Sequence, residues 1–312
     1  MCPCMLSQTV HLMVGGVSMR CLSIAAAAVI SAAAFTQIAF AADLPRKAPV
    51  AAPIAPPAYS WSGWYAGYNA GGGWSNNDGI DNVVTSTFCN TNFSGCTSGE
   101  FATAAAAAAG GDLDTKPKGF IGGGQIGYNF QAGQAVYGIE ADFQGASIKG
   151  SATAVTAAVP PGFAALGSTV TIAGTGSQKI DFLGTLRGRL GWTPSAPWLL
   201  YVTGGLAYGH TETSVSFAER VAGPCACGPF PTVSSSNDVW RAGWTVGGGL
   251  EWMFAPRWSL KGEYLYYDLG HVTVNTSILQ TNIGGVPFFG VGIASTAHYN
   301  GSIARAGINY HF

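Results

Sequence analysis

Ten charged side chains recur at alternate positions in several short segments of the sequence. Five are acids and five are bases, and neighbours within a segment share one parity, as Arg187 and Arg189 do. Charges of both signs in one interior could line a narrow ion pathway or bind one another. Because the two signs are balanced, mutual pairing is the simpler prediction. The ten residues are Glu140, Asp142, Asp181, Arg187, Arg189, Arg241, Glu251, Lys261, Glu263 and Arg305.

Three histidines form a second candidate group. His210, His271 and His298 lie near the ends of predicted strands on one side, where imidazoles could bind haem or a metal. They could also act with Asp268 as a catalytic pair. The simpler interpretation is a polar rim, because the sequence contains no recognisable Ser-His-Asp arrangement. We therefore predict no catalytic residue and no enzymatic activity.

Four cysteines lie beyond the N-terminal region. Cys89 and Cys96 could close a small disulfide loop, which is the pairing we favour, while Cys225 and Cys227 would form a strained bridge or stay free. The alternative is that none of the four is bonded. The spacing lacks the cysteine and histidine pattern of a zinc site, so we predict no metal and no cofactor.

Two further classes of function are disfavoured by pattern and charge. Residues 122–127 read GGGQIG and fit the G-x-G-x-x-G pattern, but they lie inside a predicted strand rather than before a helix. The formal net charge is −1, which provides no electrostatic attraction for nucleic acid. We predict neither a nucleotide site nor a nucleic-acid partner.

The elements that must position the charges are eight alternating segments. In each, one parity is apolar and rich in aromatic residues, and the other is small, polar or charged. Lengths of roughly 10–14 residues suit a tilted strand that crosses a bilayer, and aromatic residues near the segment ends suit the two membrane interfaces. The segments are 63–74, 119–130, 135–145, 180–192, 198–208, 240–254, 258–266 and 298–312.

The connections alternate between short and long. Residues 131–134, 193–197 and 255–257 are short, whereas 75–118, 146–179, 209–239 and 269–297 are long. Charged residues make up 9% of the chain, against about 25% in soluble domains. Together these features predict an all-β fold: an eight-stranded antiparallel up-and-down transmembrane β-barrel with long extracellular loops. A soluble β-sandwich would not require connections that alternate between short and long.

The interior of such a barrel is just wide enough for side chains. Charges buried there are tolerated only when they are paired and hydrogen-bonded. The ten residues therefore predict a salt-bridged plug, with a narrow ion-selective pathway as the alternative.

The N-terminal region indicates export. Residues 1–41 contain an apolar run and a small-x-small cleavage site, which are typical of a signal peptide with Ala42 as the first mature residue. Residues 1–18 precede the usual start of such a signal, so we predict Met19 as the initiator. The proline-rich residues 42–60 predict an extended periplasmic tether, and residues 61–312 form the predicted barrel.

Several motifs together resemble one known family. The sequence is similar to the outer-membrane immunogenic proteins of alphaproteobacteria, a porin family with an OmpA-like transmembrane barrel. Phe312 ends the last predicted strand and resembles the terminal aromatic residue by which bacterial outer-membrane barrels are recognised for assembly. The matching motifs are ADLP (42–45), WSGWYAG (61–67), GGGQIGY (122–128), GIEAD (138–142), TLRGRLG (185–191), KGEYLYYDLG (261–270) and the C-terminal strand.

The resemblance implies a structural role and no known catalytic reaction. Its members are surface-exposed barrels of the outer membrane, with a role in envelope integrity, and some are attached to peptidoglycan through the mature N-terminus, here Ala42. The implied partners are outer-membrane lipid and lipopolysaccharide, the assembly machinery and peptidoglycan. The alternatives are a narrow porin for small solutes or ions, and a surface adhesin or haem-binding protein. Haem binding is included because some relatives are reported to bind haem.

Overall fold

The computed structural model describes residues 59–77, 79–90, 92, 98–224 and 230–312. Most of them lie in long antiparallel strands, and a three-residue 3-10 helix, Ala164–Leu166, follows the fifth strand. The elements are β1 (Gly63–Ser75), β2 (Gly79–Cys89), α1 (Ser98–Ala109), β3 (Gly111–Asp114), β4 (Lys118–Ala132), β5 (Ala135–Ala158), β6 (Thr169–Ser195), β7 (Trp198–Ala222), β8 (Thr232–Ala255), β9 (Trp258–Asn275), β10 (Leu279–Ile283) and β11 (Val286–His311).

Eight of the strands close into a ring. Their order is β1-β4-β5-β6-β7-β8-β9-β11, and β11 returns to pair with β1 from Tyr65 opposite His311 to Ser75 opposite Gly301. Every neighbouring pair is antiparallel. The predicted eight-stranded antiparallel barrel is therefore confirmed, and its closure pairs the strand edges that an open sheet would expose.

The period of two along each strand separates two environments. On β1, Trp64 and Tyr68 are exposed on the outer surface while Tyr65 is fully buried inside. Trp198 and Tyr208 mark the two ends of the apolar surface on β7. Ten residues of a strand tilted by ~40° span ~25 Å along the barrel axis. That height is close to the apolar band of outer-membrane barrels. No helix in the described residues is long and apolar enough to span a membrane.

The strands extend much further outward than the sequence predicts. β5 to β8 each contain 24 to 27 residues, so most of the predicted loops 146–179 and 209–239 are β-structure. The predicted strands end where the apolar residues of the outward face end, which is at the membrane boundary. Beyond it the outward residues are mostly serine, threonine and charged side chains, and the ladder continues without a regular apolar alternation in the sequence.

The outer part of the barrel has its own hydrophobic core. The first long connection forms β2, α1 and β3, so the alanine-rich stretch around residues 104–109 is helical. Phe101 of α1 is fully buried and lies 5.2 Å from Phe163 and 5.6 Å from Phe288 between ring centroids. α1 contacts β2, β5, β6 and β11, and so fills the outer end of the interior.

A smaller apolar layer closes the inner end. Trp61, Val136, Leu199 and Met253 are buried together close to the short turns, with Tyr201 beside them. Trp61 is fixed by a hydrogen bond from its backbone amide to the side-chain oxygen of Gln131, at 3.0 Å. The interior between the two apolar layers contains the charged residues.

Candidate functional site in the barrel lumen

Five strands place eight of the predicted charges on the inner wall. Glu140 and Asp142 on β5 alternate along the strand and therefore point to the same side, as do Arg187 and Arg189 on β6. The strand register sets bases opposite acids at three positions across neighbouring strands. These pairs are Glu140 with Arg187, Glu251 with Lys261, and Glu263 with Arg305.

Arg187 is the centre of the network. Its Nη1 donates to Glu263 Oε1 at 2.8 Å, and its Nη2 forms a short bond with Glu140 and lies 3.1 Å from Asp142 Oδ2. Its Nε donates to the hydroxyl of Thr185 at 2.9 Å. The side chain has no solvent exposure. A guanidinium group can hold three carboxylates at once because its donors point in fixed and different directions.

Two further bases connect the same acids. Lys261 Nζ donates to both carboxylate oxygens of Glu140, at 2.9 and 3.0 Å. Arg305 donates from Nε to Glu263 Oε2 at 2.8 Å and from Nη2 to Asp142 Oδ2 at 2.9 Å. Each acid of this group therefore meets at least two bases, which offsets the cost of removing the charges from water.

Arg189 forms a neighbouring group closer to the inner end. Its Nη2 makes a short ion pair with Glu251. The guanidinium carbon lies 3.7 Å from the ring centroid of Tyr201, a cation–π contact. Nη1 donates to the hydroxyl of Tyr65 at 3.2 Å. The two tyrosines connect this group to Arg187's acids, because Tyr65 donates to Glu140 at 2.7 Å and Tyr201 to Glu263 at 3.0 Å.

Space for the two tyrosine rings comes from glycines on the same wall. A Cβ at Gly127 would overlap the ring and hydroxyl of Tyr65, and a Cβ at Gly249 would lie 2.6 Å from the hydroxyl of Tyr201. Gly127 is the last glycine of the G-x-G-x-x-G pattern. Its role in this structure is to leave room for an inward tyrosine.

A chain of side-chain amides continues the network. Gln144 donates to Asn69 at 2.7 Å, Asn69 to Gln125 at 2.8 Å, and Gln125 to Asn309, which donates to Glu251 Oε1 at 2.7 Å. These amide residues and the two tyrosines were not among the site residues predicted from the sequence. Their signal was present, because all lie on the inward parity.

The network lies between two apolar layers. Toward the outside, Ile121, Leu183 and Leu265 are buried above it. Toward the inside, the layer around Trp61 lies below it. Most polar atoms of these acids and bases are hydrogen-bonded. Asp142 Oδ1, Arg189 Nε and Arg305 Nη1 are the exceptions, since none of the three has a hydrogen-bond partner among the described residues.

Two of the ten predicted residues lie elsewhere, so their assignment to the lumen network is corrected. A β-bulge between Ile180 and Phe182 changes the side-chain alternation of β6, and Asp181 is left at the bulge, where it pairs with Lys179 and His210. Arg241 lies at the outer end of the ring and donates to the carbonyl of Leu269 at 3.1 Å. Both side chains are partly exposed.

The histidines do not gather into one site. His210 lies between two aspartates, with Nδ1 2.8 Å from Asp181 and Nε2 2.6 Å from Asp238. His271 and His298 face each other on β9 and β11 with ring centroids 5.6 Å apart. No cluster of three or more metal-ligating side chains occurs in the described part of the chain. A haem-binding or adhesin role stays a prediction from the sequence.

Phe312 follows the end of β11. Its amide donates to the carbonyl of Trp64 at 3.0 Å, and its side chain is exposed at the inner end of the barrel. Cys89 ends β2 and is exposed, whereas Cys96, its predicted partner, lies outside the described residues. Ala42 and the predicted signal peptide and tether also lie outside them. The disulfide, the attachment site and the domain boundaries stay predictions.

Comparison with known proteins identifies the family. A sequence profile described as the outer membrane protein beta-barrel domain matches residues 22–312. The chain belongs to this outer-membrane β-barrel family. The closed ring, the apolar outer surface and the polar interior of the present barrel are the features that the family name describes.

Relatives of this outer-membrane β-barrel protein agree with the resemblance found in the sequence. The 31 kDa outer-membrane immunogenic protein of Brucella melitensis is 32% identical over 295 residues, covering 90% of this chain and 96% of the relative. The 25 kDa outer-membrane immunogenic protein of Brucella abortus is 26% identical over 253 residues, covering 78% and 86%. The family prediction and the outer-membrane location are confirmed.

Solved structures provide a more distant comparison. Ail, the attachment invasion locus protein of Yersinia pestis, is 12% identical and covers 78% of this chain and 99% of its own. The TM-score is 0.26.

Proposed function

We propose that this barrel is a closed structural protein of the outer membrane that supports envelope integrity and does not conduct solutes. One observation carries the proposal: the lumen charges neutralise one another and are buried between two apolar layers. A conducting barrel needs a continuous polar path with exposed charges. In this lumen the side chains of Arg187, Lys261 and Arg305 have no solvent exposure.

The energetic argument supports the same proposal. An ion that entered the lumen would have to separate pairs such as Lys261 and Glu140, leaving at least one buried charge unpaired. Breaking a buried pair by removing one partner costs roughly 3–5 kcal/mol. An ion would then meet the apolar side chains that pack around Phe101.

Conductance in planar bilayers tests this proposal against the rival narrow porin. The mature chain, refolded in detergent and shown to be heat-modifiable on gels, is added to bilayers in 1 M KCl, with a general diffusion porin as the positive control. We expect no unitary steps above the membrane baseline. Steps that recur at one amplitude and scale with salt concentration would contradict the proposal and support the porin.

A deletion strain tests the role in the envelope. Loss of the protein should increase sensitivity to detergents and to large antibiotics, and expression of the wild-type chain should restore resistance. Uptake of a small sugar should stay unchanged in the same cells. Reduced uptake with normal detergent resistance would favour a transport function instead.

The proposed structural role includes attachment to peptidoglycan through Ala42. Support comes from the sequence, where Ala42 follows the predicted cleavage site and the proline-rich residues 43–60 could reach on the order of 50 Å. Lysozyme treatment of cell walls should release barrels with a muropeptide on the Ala42 amine. Mass spectrometry that finds a free α-amine on all recovered protein would exclude the attachment.

A further inference from the structure

Three lysines stand side by side on the outer surface of the barrel. The register places Lys118 of β4 opposite Lys149 of β5, and Lys149 opposite Lys179 of β6. All three side chains are exposed to a substantial degree. Neighbouring strands are about 4.8 Å apart, so the row sets three ammonium groups close together. Like charges directly opposite in a sheet are destabilising unless something compensates them.

The charge of this row is only partly compensated within the protein. Lys179 pairs with Asp181 at 3.2 Å and with Glu212 at 3.4 Å. Lys118 and Lys149 form no ion pair with any residue that the structure describes. Asp181 and Glu212 pair with Lys179, and Asp114, which precedes Lys118 in the sequence, pairs with Lys116 at 3.7 Å. The half of the row on β4 and β5 therefore remains cationic.

The row lies at the outer edge of the membrane belt. Phe120, two residues inward of Lys118 on β4, has 60% of its surface exposed, and Phe143 on β5 has 57%. These are the last aromatic side chains on the outer faces of β4 and β5. The lysines therefore lie at the height where the headgroups of the outer leaflet meet its acyl chains.

Above the lysines the surface becomes a lattice of hydroxyl groups. A groove of about 410 Å³ borders Lys149, Lys179, Ser151 and Ser177. Its one acid is Glu212, whose carboxylate is paired with Lys179 at 3.4 Å. This groove continues into a groove of about 550 Å³ that runs across β5 to β8. Strand register aligns its hydroxyls in two rows, which are Ser151, Ser177, Ser214 and Ser236 in the first, and Thr153, Thr175, Ser216 and Ser234 in the second.

We propose that the lysine row and the adjoining groove bind the phosphorylated sugar headgroup of an outer-leaflet glycolipid, of the lipopolysaccharide class. Lys118 and Lys149 hold a phosphate, the hydroxyl rows bond the sugars, and the acyl chains lie on Phe120 and Phe143. Charge complementarity favours this occupant, because uncompensated ammonium groups at a membrane interface match a membrane-anchored phosphate. The proposal rests on the outer-membrane location and not on the closed lumen.

The test is a titration of the refolded mature chain, in uncharged detergent, with diphosphoryl lipid A carrying its inner-core sugars. Binding is followed by native mass spectrometry. We expect the Lys118→Gln/Lys149→Gln double variant to bind at least about tenfold more weakly, the loss of roughly one charge-assisted bond. Arg220→Gln, which removes one cation from the outer end of β7, should stay within about twofold. Equal affinity of the double variant and the wild type would overturn the proposal.

Changes to the ligand provide a second arm that does not depend on variant folding. The wild-type chain should lose affinity for the same glycolipid after its phosphates are removed, and phosphatidylcholine should not compete. Inorganic phosphate at millimolar concentration should not displace the glycolipid, because it lacks the sugars and acyl chains. Unchanged affinity after dephosphorylation, or full displacement by free phosphate, would each refute a glycolipid headgroup site.

Discussion

Lys261 on β9 donates to both carboxylate oxygens of Glu140 on β5, at 2.9 and 3.0 Å. In the ring of eight strands, β5 and β9 are four positions apart, so this contact crosses the lumen between opposite walls. Backbone ladders connect only neighbouring strands. Side-chain bonds across the lumen therefore add a second set of restraints that fixes the cross-section of the barrel.

Arg305 should contribute more than Arg241 to the free energy of unfolding. Arg305→Met leaves Asp142 and Glu263 each with one base fewer in a dry interior, so we expect the free energy of unfolding to fall by about 3–5 kcal/mol. Arg241→Met removes one bond to a carbonyl in a half-exposed position, so we expect a loss of less than about 1 kcal/mol. Urea titration in detergent, followed by heat-modifiability on gels, measures both.

A paired substitution checks that unpaired charge is the cause. Arg305→Met combined with Glu263→Gln removes a base and an acid together, and should recover part of the loss caused by Arg305→Met alone. If Arg305→Met and Arg241→Met prove equally mild, the lumen pairs do not stabilise the barrel.

Gly127 should tolerate no side chain. In Gly127→Ala the new methyl group would overlap Tyr65, whose hydroxyl is bonded to Glu140 and Arg189. We expect a loss of about 1–3 kcal/mol in the free energy of unfolding, the usual effect of overpacking. Gly124→Ala is the matched control, because its Cβ would meet only one backbone oxygen at 3.9 Å. Similar unfolding midpoints for the two variants would contradict the packing argument.

Glu219 should make the outer part of the protein sensitive to pH. This carboxyl group lies on the outer portion of β7, beyond the apolar belt, where Oε1 accepts a short hydrogen bond from Thr281 of β10 and Oε2 has no partner among the described residues. Burial raises its pKa to about 7. The folded form therefore retains a proton that the unfolded chain loses near pH 4.3.

The sign of the pH effect follows from that difference. Between about pH 4.3 and 7 the folded form binds more protons, so stability should fall by roughly 3–4 kcal/mol as pH rises and then become constant. Glu219→Gln keeps a neutral side chain of the same shape and should remove this slope. Hydrogen exchange of β7 and β10 amides at pH 5 and pH 8 measures it, and an identical slope in the variant would exclude Glu219 as its source.

Phe312 should affect assembly more than stability. In the folded barrel its side chain is 73% exposed, so Phe312→Ala should change the free energy of unfolding by no more than about 0.5 kcal/mol. If it is the assembly signal, the same variant should reduce the inserted, heat-modifiable fraction in cells several-fold. Phe130→Ala removes another exposed aromatic side chain near the inner end and serves as the control. Equal insertion of both variants would exclude a special role for the terminal residue.

The sequence alone was sufficient to predict the ring of eight strands and most of the charged residues that line its lumen. Side-chain direction in a strand alternates through local geometry, so the parity of Glu140, Asp142, Arg187 and Arg189 indicated an inward position before any contact was known. The aromatic residues at the segment ends, such as Trp198 and Tyr208, marked the height of the membrane for the same local reason. The family resemblance agreed with both.

Only the tertiary structure decided which charges meet. Whether Lys261 reaches Glu140 depends on the stagger of strands across the ring, a non-local quantity that no single segment encodes. Asp181 shows the limit of parity, because one bulge in β6 redirected it from the lumen to the rim. The outer extensions of β5 to β8 were missed because their outward face is mostly polar, so the apolar alternation that indicated the strands is lost there. The alternation along one strand fixes whether each side chain points into or out of the barrel. Its position along the barrel axis and its bonding partner are set only when all eight strands have closed into the ring.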